Sequence, residues 1–268
     1  MPGTVFIEQL KRSWRSTLYW GTGVGLLGLY IVSIVQNIEI IAEYQRLLEV
    51  FPPAVFRAFG ITSVDSLGSV EGFVGFAVFT YAILTLAVYA VFAGLSITAN
   101  DEDEGIMDVV LALPLARWRV IAEKFAAHTV MTLLIGVIMF VGLFIGTLMT
   151  PVDVDLGIMV AGAFNLVPTT LLMIAFTTFV ASIFSSKVLA SGLSTFFIIG
   201  SYFLFTVGGA TRDSIAEIIA NASFFAYYDV EAVMQDGLHA GNVLLLFVIS
   251  LALVGISLYA FERRDVRG

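Results

Sequence analysis

The chain has 268 residues, 59% of them hydrophobic and only 13% charged, with a formal net charge of −8, a mean hydropathy of +0.98 and no cysteine. Such a composition leaves too little polar surface to cover a soluble globule, so the chain reads as an all-α membrane protein built as one domain over residues 1–268. The missing cysteine removes disulfides, thiolate metal sites and thiol redox chemistry from consideration.

In chain order, Phe6, Leu10 and Trp14 recur at four-residue spacing among Glu8, Lys11, Arg12 and Arg15. This pattern predicts an interfacial helix over residues 1–16, lying flat on the membrane surface. A bilayer core about 30 Å thick is crossed by roughly 20 apolar residues. Six runs meet that length: Thr17 to Ile38, Phe73 to Thr98, Phe125 to Thr150, Leu156 to Phe184, Val188 to Gly209 and Val243 to Phe261. No Asp, Glu, Lys or Arg falls inside them, so each should insert and no buried ionic group is expected. Ser185-Ser186-Lys187 then makes a tight turn between the fourth and fifth spans. The excursion from Glu39 to Glu71 is helical in pattern up to Val50, is broken by Pro52-Pro53, and predicts two short helices roofing one mouth. Residues 210–242 repeat the theme, with Ile215, Ile218 and Ile219 on one helical face, and are expected to pack against that roof.

With the N-terminus taken as cytoplasmic, ten Lys and Arg residues fall on the inner side and three (Arg46, Arg57, Arg212) on the outer. That asymmetry places both termini in the cytoplasm of a multi-pass cell-membrane protein. Twelve of the 21 carboxylates lie outside, giving the outer loops a net −9 and the inner side +1. Trp14, Trp20 and Trp118 sit near the inner boundary, as amphipathic rings do. The long charged stretch before the first run and the lack of a small-residue cleavage site predict that this span is retained.

Catalytic constellations are not found. His128 lies just inside the third span and His239 in the last outer loop, with no H-E-x-x-H, and His128 reads as a packed, hydrogen-bonded side chain. Asn165 and Pro168 in the fourth span suit a structural kink. Gly23-Val24-Gly25-Leu26-Leu27-Gly28 fits the dinucleotide pattern, but no strand precedes it and it lies within a span. Asn221-Ala222-Ser223 is a glycosylation sequon with no role assigned. The small-residue pairs Gly21/Gly25 and Gly142/Gly146 are candidates for close helix approach, within the chain or between subunits. No phosphate loop is present, so the chain is not read as an enzyme and carries no cofactor of its own.

The most informative segment joins the second and third spans: Asp101-Glu102-Asp103-Glu104-Gly105, an apolar stretch through Ile106, Val109, Val110 and Leu113 that includes Asp108, then Pro114, Arg117, Arg119 and Lys124. Acidic residues at a helix start, two apolar turns and a terminating proline predict a short cytoplasmic docking helix within residues 101–119. Its apolar face suits a partner's groove, and Arg117, Arg119 and Lys124 suit phosphates or carboxylates. At Glu102, Glu104, Gly105, Leu111, Pro114, Arg117 and Lys124 the chain resembles the membrane subunits of ATP-binding-cassette exporters of the type-2 permease family. Six spans, the leading amphipathic helix and the closing Phe261-Glu262-Arg263-Arg264-Asp265 resemble that family too.

The resemblance implies a permease subunit that couples ATP hydrolysis by a separate cytoplasmic ATPase, which holds the ATP and Mg, to export of a hydrophobic or amphipathic cargo. Coupling would run through Glu102, Glu104, Gly105, Asp108, Pro114, Arg117 and Lys124. The expected partners are that ATPase, a second permease subunit in a homo- or heterodimer, and membrane lipid, with no nucleic acid. The alternative reading is a non-transporting membrane anchor or assembly factor that uses the same segment to recruit a cytoplasmic protein.

Overall fold

A computed structural model describes residues 3–35, 38–48, 50–52, 55, 67–107, 116–210 and 214–263. The described elements are all helical: α1 (Thr4–Ile34), α2 (Ile38–Leu48), α3 (Val70–Val74), a π turn (Gly75–Phe79), α4 (Thr80–Leu95), α5 (Ala99–Asp103), α6 (Arg117–Thr147), α7 (Leu156–Ile183), α8 (Lys187–Ala210), α9 (Ser214–Asn221), a 3-10 turn (Phe224–Tyr227), α10 (Val230–Asp236) and α11 (Ala240–Arg263). Six helical stretches are long and apolar enough to cross a membrane: α1, Val70–Leu95, α6, α7, Lys187–Gly208 and α11. They correspond one to one with the six expected spans.

Contacts between helix ends fix the up-and-down order. Arg12 reaches Asp101, Gly3 reaches Glu123, and Lys187 reaches Asp103, which brings the start of α1, the α4–α6 connection and the starts of α6 and α8 to one end, here the proximal end. At the opposite, distal end the Thr150 hydroxyl donates to the Val35 carbonyl and Glu71 accepts from the Asp155 amide.

At the centre stands α7, touched by α4, α6, α8, α10 and α11. It is the most enclosed span, whereas α8 and α11 present most of their surface outward. A hydroxyl-rich helix can sit there because Thr170, Thr177, Thr178 and Ser182 each donate to the carbonyl four residues earlier, so these four buried donors are met within the helix itself. The helix keeps Pro168 in its interior, and a tight Ser185-Ser186 turn leads from its end into α8 as expected.

Two seams of small residues set the closest approaches. Between α1 and α6, a Cβ placed on Gly142 would lie 2.1 Å from the Gly25 carbonyl oxygen, and one on Gly21 would lie 2.8 Å from Ile138. Both glycine pairs therefore face each other inside the chain, which takes them away from any subunit contact. Between α4 and α7, Gly94 lies against Thr177 in the same manner.

The N-terminal segment is helical as expected, but it is not a separate interfacial element. The helix runs unbroken from Thr4 to Ile34. Its inner side is partly polar: Gln9 and Thr17 are buried against neighbours, while Ile7 and Trp14 face outward. Glu8, Lys11, Arg12 and Arg15 are exposed on the same stretch, so its outward side is mixed, while its inner side carries polar groups that bond to one another.

Of the first roof, α2 is present, and the second short helix expected beyond Pro53 lies outside the described residues. The later segment, expected to pack on that roof, does not chiefly do so. Its helix α10 packs between α7, the π turn and α3, because Val233 and Met234 are buried there while Ile218 and Ile219 of α9 are exposed.

Candidate functional site at the proximal end

Helix α4 ends at Leu95, and the chain turns through Ser96, Ile97 and Thr98 into the single turn of α5. Gly105 follows with φ +67°, a left-handed conformation that suits glycine and bends the chain there. Residues 108–115, including Asp108 and Pro114, lie outside the described residues, and so does most of the expected docking helix.

The centre of the site is a buried ion pair. The Lys124 ammonium donates to Asp101 Oδ2 at 2.5 Å and to the carbonyl oxygens of Ser96 and Ile97 at 3.1 and 3.0 Å. Asp101 is 3% exposed and Lys124 4%. The expectation that the chain buries no ionic group is therefore corrected. Lys124 stands one residue before the third apolar run, but α6 begins at Arg117, so by position 124 the helix has turned inward. The burial is tolerable because the charge is matched: one carboxylate and two carbonyls at the negative end of α4 surround the ammonium. Instead of a partner's phosphate or carboxylate, Lys124 thus meets groups of its own chain.

Arg12 spans two acids of the connection, with Nη1 to Asp101 Oδ1 at 2.8 Å and Nη2 to Glu104 Oε2 at 3.0 Å. Lys187, at the start of α8, faces Asp103 at 3.5 Å. Glu123 accepts the amides of Gly3, Val5 and Phe6 at 3.1 to 3.2 Å and pairs with Arg119 at 2.7 Å, so a side chain of α6 caps the first turn of α1.

Deeper in, Gln9 Nε2 lies 3.1 Å from His128 Nε2 and donates to Ser96 Oγ, which is itself 2.9 Å from the same imidazole nitrogen. His128 is thus the packed, hydrogen-bonded side chain that the sequence suggests. Residues 96–104 are consequently tied to α1 through Gln9 and Arg12, to α6 through Lys124 and His128, and to α8 through Lys187. Of the residues singled out in sequence, Glu104 and Lys124 join this network, Glu102 lies in α5, Gly105 makes the bend, and Arg117 opens α6. Gln9, Arg12 and Lys187 were not among them, and Asp101 was named only as the start of the acidic run. The legible sign was the polar stripe Gln9, Ser13, Thr17 at four-residue spacing, which is as regular as the apolar stripe beside it.

Next to the cluster, a cavity of about 680 Å³ runs between α4 and α8. Its walls are mostly apolar, including Ala87, Val91 and Ile198, with Ser191 and Thr195 on one side and Asn100 and Lys187 at the proximal end. It has the volume of an ordinary small-molecule site, apolar with a few polar groups at one end.

Six spans with one of them, α7, at the centre, one ionic end and an apolar side cavity are the architecture of a multi-pass membrane protein. Residues 9–262 match the family model described as multidrug efflux system permease Rv1217c, C-terminal domain. The chain belongs to this family, and so to the membrane permease components of efflux systems. No curated protein matches it.

Proposed function

We propose that the chain is the permease subunit of an ATP-driven exporter of the type-2 permease class, worked by a separate cytoplasmic ATPase that docks on the segment 101–119. On this reading the proximal end is cytoplasmic, and Glu102, Glu104, Gly105, Asp108, Pro114 and Arg117 form the docking region. The observation that carries the reading is the attachment of residues 96–104 to α1, α6 and α8 at once. A force applied to that connection reaches three spans through ion pairs and hydrogen bonds, as rigid-body rocking requires. A chain that merely recruited a partner would have no need of such linkage.

The cavity between α4 and α8 is the place for an amphipathic cargo: apolar walls for its body, Asn100 and Lys187 for its polar end. A second permease subunit, of the same or a related sequence, would complete the transporter beside the outward faces of α8 and α11.

The test is whether the neighbouring reading frame encodes a phosphate-loop ATPase that co-purifies with this chain, followed by drug-stimulated ATP hydrolysis and vesicle transport. Replacing Glu104 and Arg117 by alanine should leave the protein in the membrane and the basal ATPase rate in place while abolishing stimulation and transport. Unchanged coupling in both variants would defeat the proposal, and would favour the anchor or assembly reading.

A further inference from the structure

The second span is not a plain helix. Between α3 and α4 the five residues Gly75–Phe79 form a π turn, closed by the Thr80 amide on the Gly75 carbonyl. A π turn holds one residue more than the α turn it replaces, so its relaxation rotates everything downstream by about 100° and shifts it by about 1.5 Å. Such a turn is stable only where something outside the helix favours it.

That support comes from the distal segment 224–236. The hydroxyl of Tyr228 donates to the Phe79 carbonyl at 3.0 Å, at the junction of the π turn with α4. Tyr228 is 4% exposed, and burial pushes its phenol well above the ordinary range, so it remains a donor. Its own carbonyl accepts from Asn165 Nδ2 of α7. Met234, two turns on, fills a slot between two glycines: a Cβ on Gly75 would lie 2.6 Å from Met234 Cγ, and one on Gly162 would lie 2.6 Å from Met234 Cε and 2.5 Å from the Phe79 ring. Asp229, between these two contacts, holds φ +22°, a conformation rare outside glycine. Ser223 ties the start of the segment to the Ser201 carbonyl of α8 at 2.7 Å.

From these contacts we infer that residues 224–236 are a latch: while Tyr228 and Met234 are seated, α4 is held in the π register, and their withdrawal lets α4 rotate. The consequence reaches both features at the other end of α4. Ala87 and Val91 of α4 line the cavity, and the carbonyls of Ser96 and Ile97 beyond its C-terminus hold Lys124. One helix thus links the distal surface to the cavity and to the ionic cluster, and release of the latch alters the shape of the cavity wall. The inference rests on the permease fold and not on ATP drive, so it stands or falls separately.

The absence of native cysteine makes the test clean. In the full chain reconstituted into vesicles without any ATPase, Thr169→Cys reports on the space beneath the latch, since Thr169 is 0% exposed on α7 one turn from Asn165. A spin label at Val88→Cys, on the cavity wall about 14 Å along the helix from Phe79, reports on the register of α4. Tyr228→Phe keeps the ring and removes only the hydroxyl. In the Thr169→Cys background it should speed modification of the introduced thiol by a small impermeant reagent about fivefold, the factor that one ordinary hydrogen bond is worth. In the Val88→Cys background it should change the spectrum of the label. Met234→Ala, which empties the slot and leaves the hydroxyl, should do the same in both. Faster modification with an unaltered label spectrum in both variants would reduce the segment to a loose plug and overturn the register claim. No change at either reporter would overturn the latch altogether.

Discussion

Removing the Lys124 ammonium tests the proximal site most directly. In Lys124→Met the side chain keeps its length and apolar stem, while Asp101 loses its 2.5 Å partner and the Ser96 and Ile97 carbonyls lose their donor. At that separation, with an effective dielectric near 20, the gross attraction is about 6–7 kcal/mol. Desolvation of both ions offsets much of it when the pair forms, but removing one partner leaves the other buried and uncompensated, at about 3–5 kcal/mol. Arg12 still faces Asp101 and is half exposed, which keeps the expected loss toward the lower figure.

Asp101→Asn should cost a similar amount, because the ammonium then keeps only two neutral carbonyl acceptors. The double variant has no unmatched charge in the pocket and should be less destabilised than the two single losses combined, by about 2 kcal/mol. Equilibrium unfolding in mixed micelles, followed by loss of helicity, gives all three values. Additivity within about 0.5 kcal/mol would mean that Lys124 and Asp101 do not depend on each other, and would refute the reading of this site as an ionic strut.

Three other outcomes follow from the packing. Gly142→Ala places a methyl group 2.1 Å from the Gly25 carbonyl, so α1 and α6 must part, at a cost of about 1–3 kcal/mol or more, whereas Gly23→Ala meets nothing and should be silent; size-exclusion monodispersity after mild heating separates them. Glu123→Ala uncaps α1 and should cost about 1–2 kcal/mol, with faster amide hydrogen exchange at residues 3–6 while the middle of α1 stays protected. Ser191→Trp fills the cavity between α4 and α8 from the α8 side and should abolish drug stimulation and transport with the fold intact; undiminished transport would place the cargo path elsewhere.

Composition and run length were enough for the all-α membrane fold, because insertion is a local matter: each run carries its own transfer free energy and its own backbone hydrogen bonds. The six spans, the tight turn before α8 and the packed state of His128 were legible in the sequence. Where each polar group is spent is not local. Arg12 meets Asp101 across 89 residues and Lys124 meets it across 23, and no periodicity in one segment announces such a pairing.

The same holds for the glycine pairs, which are compatible with a contact inside or between subunits until α1 and α6 are seen to share a seam. Which residues of α1 turn inward likewise depends on the helices beside it: Gln9 is buried because Ser96 and His128 meet it. The π turn is further still from the sequence, since Gly75–Phe79 reads as ordinary apolar helix. Only the folded bundle brings Tyr228 to the Phe79 carbonyl, and a helix adopts the longer turn where an outside donor makes up for it. Which segments enter the membrane is written in the order of the residues alone. Which buried polar groups satisfy one another is settled by the packing of distant helices, because hydrocarbon offers those groups no other partner.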